Sequence, residues 1–498
     1  MVSSNVCLAS TQIGKDIYQK RCSWCHGANG NGDGPAAAYL NPGPRDLTSG
    51  VFKWKSTPFD EPMPTDQDLR ASIAGHKPAT GTLAGLNGTS MPGWSDVLSD
   101  DEITSVIDYI KELGGLDPPA LPSIELSGMT NPTDAEKARA KELFKDRCSE
   151  CHGAEGRGDG TKRLKDDWGG RTWPRDLTKP WTFRAGSGVE AIYTRITVGI
   201  PGTQMPSFAD TRSKKALTEA ERWAVADYVA SLANADTMPV AGAVARAARI
   251  ETETPAMPDD PAWSKAAGAA FYLTPQLIAD ERLFTPTIDS IVVKALYNER
   301  DFFMLIEWHD RTKSLPGDSL AASLADGQVY PDGVAVQFPS ALPDEDNATL
   351  PPFGMGGKEA NGAVDIWFWQ AQAKPGNNET LRILQASGPQ KIKDMDTNAS
   401  GVTAIGNYDK GVWRVVFKRP LKTQTDGMQF NGRRFITFSL AAWDGSNAER
   451  GSKHTLTPWL WMSMTGPPNK SIYFWPAAIG ILSFAIIWLI FRNTVRRG

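Results

Sequence analysis

Cysteine is scarce in this chain, with five among 498 residues. Four of the five fall in two close pairs, Cys22 with Cys25 and Cys148 with Cys151, so no disulfide framework is implied, and Cys7 is expected to be a free thiol. Charge of one sign is lacking too: 53 Lys and Arg face 57 Asp and Glu, for a net charge of −4. With no dense basic run before the last few positions, nothing points to nucleic acid. Motifs of the GxSxG, HExxH and GK[ST] kinds are absent, which leaves no signature of a hydrolase, a zinc protease or a phosphate loop. Met1 to Ser10 lack the apolar stretch of a secretory leader, and no long hydrophobic run occurs before the C-terminus. At this length several cores are expected rather than one.

What is present is a duplication. RCSWCHGANGNGDG, Arg21 to Gly34, returns as RCSECHGAEGRGDG, Arg147 to Gly160. Each copy holds CxxCH, in which two thiols on one helical turn take the two vinyl groups of a heme as thioethers and the adjacent histidine reaches the iron. Cys22, Cys25 and His26 are thus expected to hold one heme c, and Cys148, Cys151 and His152 a second. A zinc site would need its cysteine pairs about 15 to 20 residues apart, and a thioredoxin-type pair has no use for the histidine. Because CxxCH is loaded outside the cytoplasmic membrane in bacteria, the numbering is expected to start near a processed N-terminus or to lack an upstream leader.

The copies match beyond that stretch. PRDLT stands at Pro44–Thr48 and Pro174–Thr178, and Asp108-Tyr109 returns as Asp227-Tyr228. Ser99 with Glu102, and Thr218 with Glu221, form capping boxes ahead of Val106, Ile110 and Leu113 and of Val225, Val229 and Leu232. GTSMPGW and GTQMPSF then place Met91 and Met205 just before those helices. Both resemble the methionine-ligand loop of class I cytochromes c, which implies two all-α domains, 11–117 and 133–236, each with a Met/His iron. Met63 and His76 compete with Met91 in the first copy, but neither has a counterpart in the second. A Pro-rich connector from Asp117 to Asp134 joins the two.

After an Ala/Pro/Glu-rich linker at Thr237–Pro261 the character changes. IDSIVVKALY, FFMLIEW, AVDIWFWQA, GVWRVVFK and RRFITFSLAAW read as strands, which predicts an antiparallel β-sandwich within 240–466. Trp367, Phe368 and Trp369 form either its core and one outward ring or a binding platform.

Five segments here, DDPAW (Asp259–Trp263), VVKALYNERDFFMLIEWHDRT (Val292–Thr312), PPFGMGG (Pro351–Gly357), VDIWFWQA and AAWDGSNAERGSKHTLTPW (Ala441–Trp459), resemble the heme b subunit family typified by the ethylbenzene dehydrogenase gamma subunit. The resemblance implies a sandwich holding one non-covalent heme b through Met355 and Lys453. His454, on the opposite face of a strand from Lys453, is the rival for the second position, Lys418 is a weaker one, and His309 is expected to be a structural turn residue.

Ile472 to Phe491 contains no charge, and its 20 residues at about 1.5 Å each match roughly 30 Å of hydrocarbon. A transmembrane helix over 471–492 is therefore expected, with Tyr473 and Trp475 at one interface. Arg492, Arg496 and Arg497 on the far side place the tail in the cytoplasm and the heme domains in the periplasm.

Irons with two protein ligands have no open position for substrate, so the expected role is electron transfer without catalysis: a membrane-anchored subunit with two heme c and one heme b. The resemblance implies as partners the molybdopterin catalytic and iron–sulfur subunits of an oxidoreductase of the nitrite oxidoreductase or nitrate reductase type. The fused cytochrome pair adds a soluble cytochrome c or terminal oxidase as the electron outlet. Two alternatives stand beside it, a cytochrome subunit of a quinol-oxidising bc-type complex and a heme-free ligand-binding sandwich beside two cytochrome domains.

Overall fold

The structure, a computed structural model, describes residues 2–464 and 479–488 apart from 41, 77–84, 88, 116–121, 130, 326, 342–349, 353, 358–361, 373–380, 424–427 and 431–434. Two small helical domains come first. In the first, the helix Val2–Arg21 runs into the cysteine pair, whose own turn is Ser23–His26. Fully buried Tyr18 meets Tyr109 edge-on at 5.3 Å and so fixes that helix against Asp100–Leu113. The second repeats the plan with Asp134–Arg147, Ser149–His152 and Glu219–Ser231, around a stacked Tyr193–Trp223 pair at 3.8 Å.

Both predicted capping boxes form, Ser99 with Glu102 and Thr218 with Glu221, and two more start helices at Thr65 with Asp68 and Thr133 with Glu136. Each satisfies two otherwise unpaired backbone N–H groups and is worth about 1 kcal/mol.

The third domain is a two-layer β structure. Its strands neighbour one another in the order 392–395, 381–386, 364–370, 333–339, 435–443, 460–463, 244–249, 290–297, 301–309, 412–420 and 403–409. The layers face across aromatic contacts, Trp369 with Trp413 at 5.1 Å, Trp367 with Phe417 at 5.9 Å and Phe271 with Phe438 at 6.0 Å. Burying each such ring stabilises by roughly 1.5–3 kcal/mol. Trp367 and Trp369 are 2% and 3% exposed, so they are core; Phe368 alone turns outward, against Trp443 at 5.0 Å.

Two expectations need correction. The sandwich is not wholly antiparallel: 244–249 lies parallel to both 460–463 and 290–297, bridging the two layers. The same segment, VARAAR, had been read as linker from its composition. Its alternation holds Ala245 and Ala247 at 1% and 3% exposure, and these small side chains let a strand sit at the crowded junction where the sheets meet.

Of the C-terminal apolar stretch, residues 479–488 are helical with every side chain exposed. Among the described residues no helix is long and apolar enough to cross a membrane, and 471–478 and 489–492 of the expected span lie outside them.

Candidate heme sites

Each cysteine pair sits on a single helical turn, with Cys25 N bonded to Cys22 O and Cys151 N to Cys148 O, both at 3.1 Å. All four thiols are unpaired. Burial, and then the neighbouring cysteine, pushes Cys22 and Cys148 up to about 12. Both motif histidines are held alike. His26 Nδ1 lies 2.9 Å from Arg45 O and His152 Nδ1 3.0 Å from Arg175 O. A carbonyl only accepts, so Nδ1 carries the proton and the Nε2 lone pair is free for iron. Burial lowers both pKa values and keeps the rings neutral, as a ligand must be.

The carbonyls come from the repeated PRDLT segment, which sequence reasoning took only as a mark of duplication. Glycines bring it close. Leu47 N bonds Gly30 O at 2.7 Å and Leu177 N bonds Gly156 O at 2.6 Å, tying the PRDLT loop to the loop after each heme histidine. Gly27 and Gly153 have φ of 81° and 78°, and a Cβ there would stand 2.0 and 1.7 Å from an oxygen of Asp33 and Asp159. No other residue fits.

Met91 and Met205 occupy matching turns. Each donates its backbone N–H to the threonine two residues before it, Thr89 or Thr203, at 3.2 Å. Met91 and Cys22 both pack on the first core, and Met205 lines a cavity of about 1240 Å³ together with Cys148, Cys151 and His152. That volume exceeds the roughly 300–1,000 Å³ of an ordinary ligand pocket. Met63 is built into the first core at 6% exposure, and His76 is exposed.

The cavity suits a heme electrostatically as well as in size. Arg184 and the sandwich residue Arg311 reach it, and the Nε atoms of both are buried with no hydrogen-bond partner. Burial, then the neighbouring Arg175, lowers Arg184 to about 9. Arg311 has Asp444 and Asp310 beside it, whereas Arg184 has a cation, Arg175, as its charged neighbour, and a heme carboxylate would supply the anion it calls for. With the thiols, the neutral histidine and Met205 around one cavity, the residues present fit a covalently held heme.

The cavity has walls from all three domains, including Arg45 and Lys53 of the first and Asp289, His309 and Asp310 of the third. The PRDLT side chains make those junctions. Arg45 of the first copy lies over the ring of Trp168 in the second at 4.1 Å, next to Lys53 paired with Asp166 at 3.2 Å. In the second copy Asp176 bonds His309 of the sandwich at 2.5 Å, Lys179 pairs with Asp289 at 2.7 Å, and Arg311 lies over Trp173 at 4.3 Å. His309, read as a turn residue, thus docks one domain on another.

The candidate heme b residues are less tightly drawn together. Met355, at φ 68°, accepts from Gly388 N at 2.8 Å and packs on an outward-facing apolar cluster containing Ile366, Phe368, Trp443 and Trp459. His454 stands on that surface, its ring 4.7 Å from Trp443, and its pKa is lowered by burial. Lys453 turns away, its Nζ bonded to Asn447 O at 3.3 Å. Lys418 pairs with Asp301 at 3.4 Å. Met355 and His454 thus both stand at this apolar cluster, whereas the Lys453 ammonium is held at a backbone carbonyl.

The sequence matches the family described as Cytochrome c over residues 11–114 and 137–233, and the family described as Ethylbenzene dehydrogenase over residues 260–381 and 384–455. A chlorate reductase subunit gamma of Ideonella dechloratans is 29% identical over 182 residues, covering 36% of this chain and 65% of that one. A dimethylsulfide dehydrogenase subunit gamma of Rhodovulum sulfidophilum is 26% identical over 227 residues, covering 43% of this chain and 78% of that one. Among solved structures, the Kuenenia stuttgartiensis reducing HAO-like protein complex Kustc0457/Kustc0458 aligns at 33% identity and a TM-score of 0.39, over 45% of this chain and 96% of that one. The chain thus joins two domains of the cytochrome c family to one of the ethylbenzene dehydrogenase family, and its homologues include gamma subunits of chlorate reductase and dimethylsulfide dehydrogenase.

Proposed function

We propose that this chain is a membrane-anchored electron-transfer subunit carrying two heme c and one heme b, with no substrate chemistry of its own. The observation that carries the reading is the pair of identically held histidines, each neutral, each with Nδ1 bonded to a PRDLT carbonyl and Nε2 left for iron beside two thiols. Bound heme supplies the one-electron couple. His26 and His152 would each hold one iron through Nε2, Met91 and Met205 would each supply a second ligand, and Arg184 would neutralise a carboxylate of the second heme.

The junctions support an order. The second heme c pocket touches both other domains, and the loop bearing Asp444, which lines that pocket, continues to Lys453 and His454. In this reading electrons pass between heme b in the sandwich and the outer first domain through the second domain, with Trp168 and Arg45 at the last step. For heme b, Met355 is one ligand and the Lys453–His454 segment supplies the other. Resemblance favours Lys453 and the geometry favours His454. Lys453→Ala and His454→Ala separate them, because only loss of the true ligand converts the b-type spectrum.

The names of the relatives favour an oxidoreductase partner that converts an oxyanion or a sulfur compound, and the family resemblance makes it a molybdenum enzyme of the nitrite oxidoreductase or nitrate reductase type. Its electrons would exchange with a soluble cytochrome c or oxidase. The uncharged stretch Ile472–Phe491, with 479–488 helical and wholly exposed, is the anchor of this proposal and puts the heme domains in the periplasm. The test is the molybdenum-to-heme ratio of the complex purified from native membranes in mild detergent. Stoichiometric molybdenum is expected; a clean complex carrying extra heme b or a Rieske centre instead would move the chain to a quinol-oxidising complex.

A further inference from the structure

Where the sandwich meets the second heme c pocket, three aspartates from distant parts of the chain converge. Asp310 follows the strand Asp301–His309, Asp332 precedes Gly333–Pro339 and Asp444 follows Phe435–Trp443. They are 5%, 0% and 1% exposed, and one oxygen from each lies within 4.8 Å of the other two. Asp332 is held by three donors, Ser314 N at 2.7 Å, Gly445 N at 2.8 Å and Trp413 Nε1 at 2.9 Å. Asp444 is held by Ser446 N at 2.8 Å, Ser446 Oγ at 2.7 Å, Asn447 N at 3.2 Å and Thr287 Oγ1 at 2.6 Å. Asp310 is different: Thr312 N donates to its Oδ1 at 3.2 Å, and its Oδ2 is buried without a hydrogen bond within 3.5 Å, with the Trp308 indole and Arg311 as its neighbours.

The charges do not balance. Glu449, fully buried, joins the group by accepting Asp444 N at 3.0 Å. Four carboxylates thus face two cations, Arg311 beside Asp310 and Asp444, and Lys453 beside Glu449. Two negative charges are left on side chains at most 5% exposed, and such a surplus is costly unless a cation or protons neutralise it.

We infer that Asp310, Asp332 and Asp444 form a calcium site. The donors are all hard oxygens, the residual charge equals that of one divalent ion, and calcium, with six to eight oxygen ligands and a tolerant geometry, accepts three carboxylates fixed by their own loops more readily than magnesium, which demands a near-ideal octahedron. Asp310 and Asp444 also line the large cavity, which supplies the entry path and room for water ligands. The ion clamps the loop 444–454 to the sandwich, and with it the heme b donor segment to the edge of the second heme c pocket.

The test uses the full-length protein with its hemes, purified in mild detergent without chelator. Elemental analysis is expected to find one calcium per chain. EGTA should remove it and lower the midpoint of thermal unfolding, with recovery on adding calcium chloride and none with potassium chloride. Asp310→Asn should cut calcium retention at least tenfold while leaving both heme c groups bound. Should that variant fail to fold, the chelation series on the natural chain decides alone. A chain without stoichiometric calcium whose melting at pH 8 is unmoved by EGTA overturns the proposal and leaves shared protons as the neutralising charge; stoichiometric magnesium overturns the choice of ion.

Discussion

Asp46 and Asp176 occupy the same place in the same five-residue motif and do different work. Asp46 is spent locally, accepting from Thr48 N at 2.9 Å and from Thr48 Oγ1. Asp176 makes the matching bonds to Thr178 and adds His309 of the sandwich. One copy keeps its heme loop as an internal brace; the other turns the same brace into a junction. Duplicated sequence therefore conserves what holds the iron ligand, while the side chains around it are free to decide which neighbour each domain meets.

The largest expected effects fall on what the copies share. Cys148→Ala with Cys151→Ala should remove one of two covalent hemes, halving the c-type absorbance, and empty a cavity of about 1240 Å³ so that the second domain loses its core. The same double change at Cys22 and Cys25 should halve the signal too while leaving the junction with the sandwich intact. Next in size, Met91→Ala and Met205→Ala should each lower the potential of one heme, by on the order of 100 mV, since axial ligands tune heme over a range of about 0.8 V. A redox titration in which neither moves would put the sixth ligands elsewhere.

Smaller effects separate the copies. Asp176→Asn is expected to cost about 1–3 kcal/mol, because it strips a buried charged partner from His309, whereas Asp46→Asn should cost under about 1 kcal/mol. Burial raises the Asp176 pKa, but the His309 bond and the Lys179 charge outweigh it and leave the pKa lowered. A depressed carboxylate stabilises above its unfolded pKa, so the Asp176→Asn deficit in thermal unfolding should be full above about pH 4 and close as pH falls below it. The smallest is Arg45→Ala, losing a cation–π contact on Trp168 worth about 0.5–1 kcal/mol.

What was legible in the sequence was local. The CxxCH turns, the capping serine and threonine, the methionine loops and five of the strands each declare themselves within about ten residues, while 333–339 and 403–409, as long as 364–370, do not. The strand at 244–249 was missed because its alanines are chosen for a tight junction rather than for β propensity. PRDLT was noticed but not understood, since nothing in five residues says that a carbonyl will meet a histidine 19 or 23 positions away. His309 and the aspartates 310, 332 and 444 gain meaning only when the third domain is set against the second. The heme b donors fall between these cases: Met355 and Lys453 were named by resemblance, and the turn that sends the lysine to Asn447 and the histidine to Trp443 is a tertiary fact.

The account stands most directly on the heme count of the intact chain. A pyridine hemochrome spectrum of the purified full-length protein is expected to give two heme c for each heme b. Two heme c with no heme b would contradict it, making the sandwich a docking module on which the relay ends.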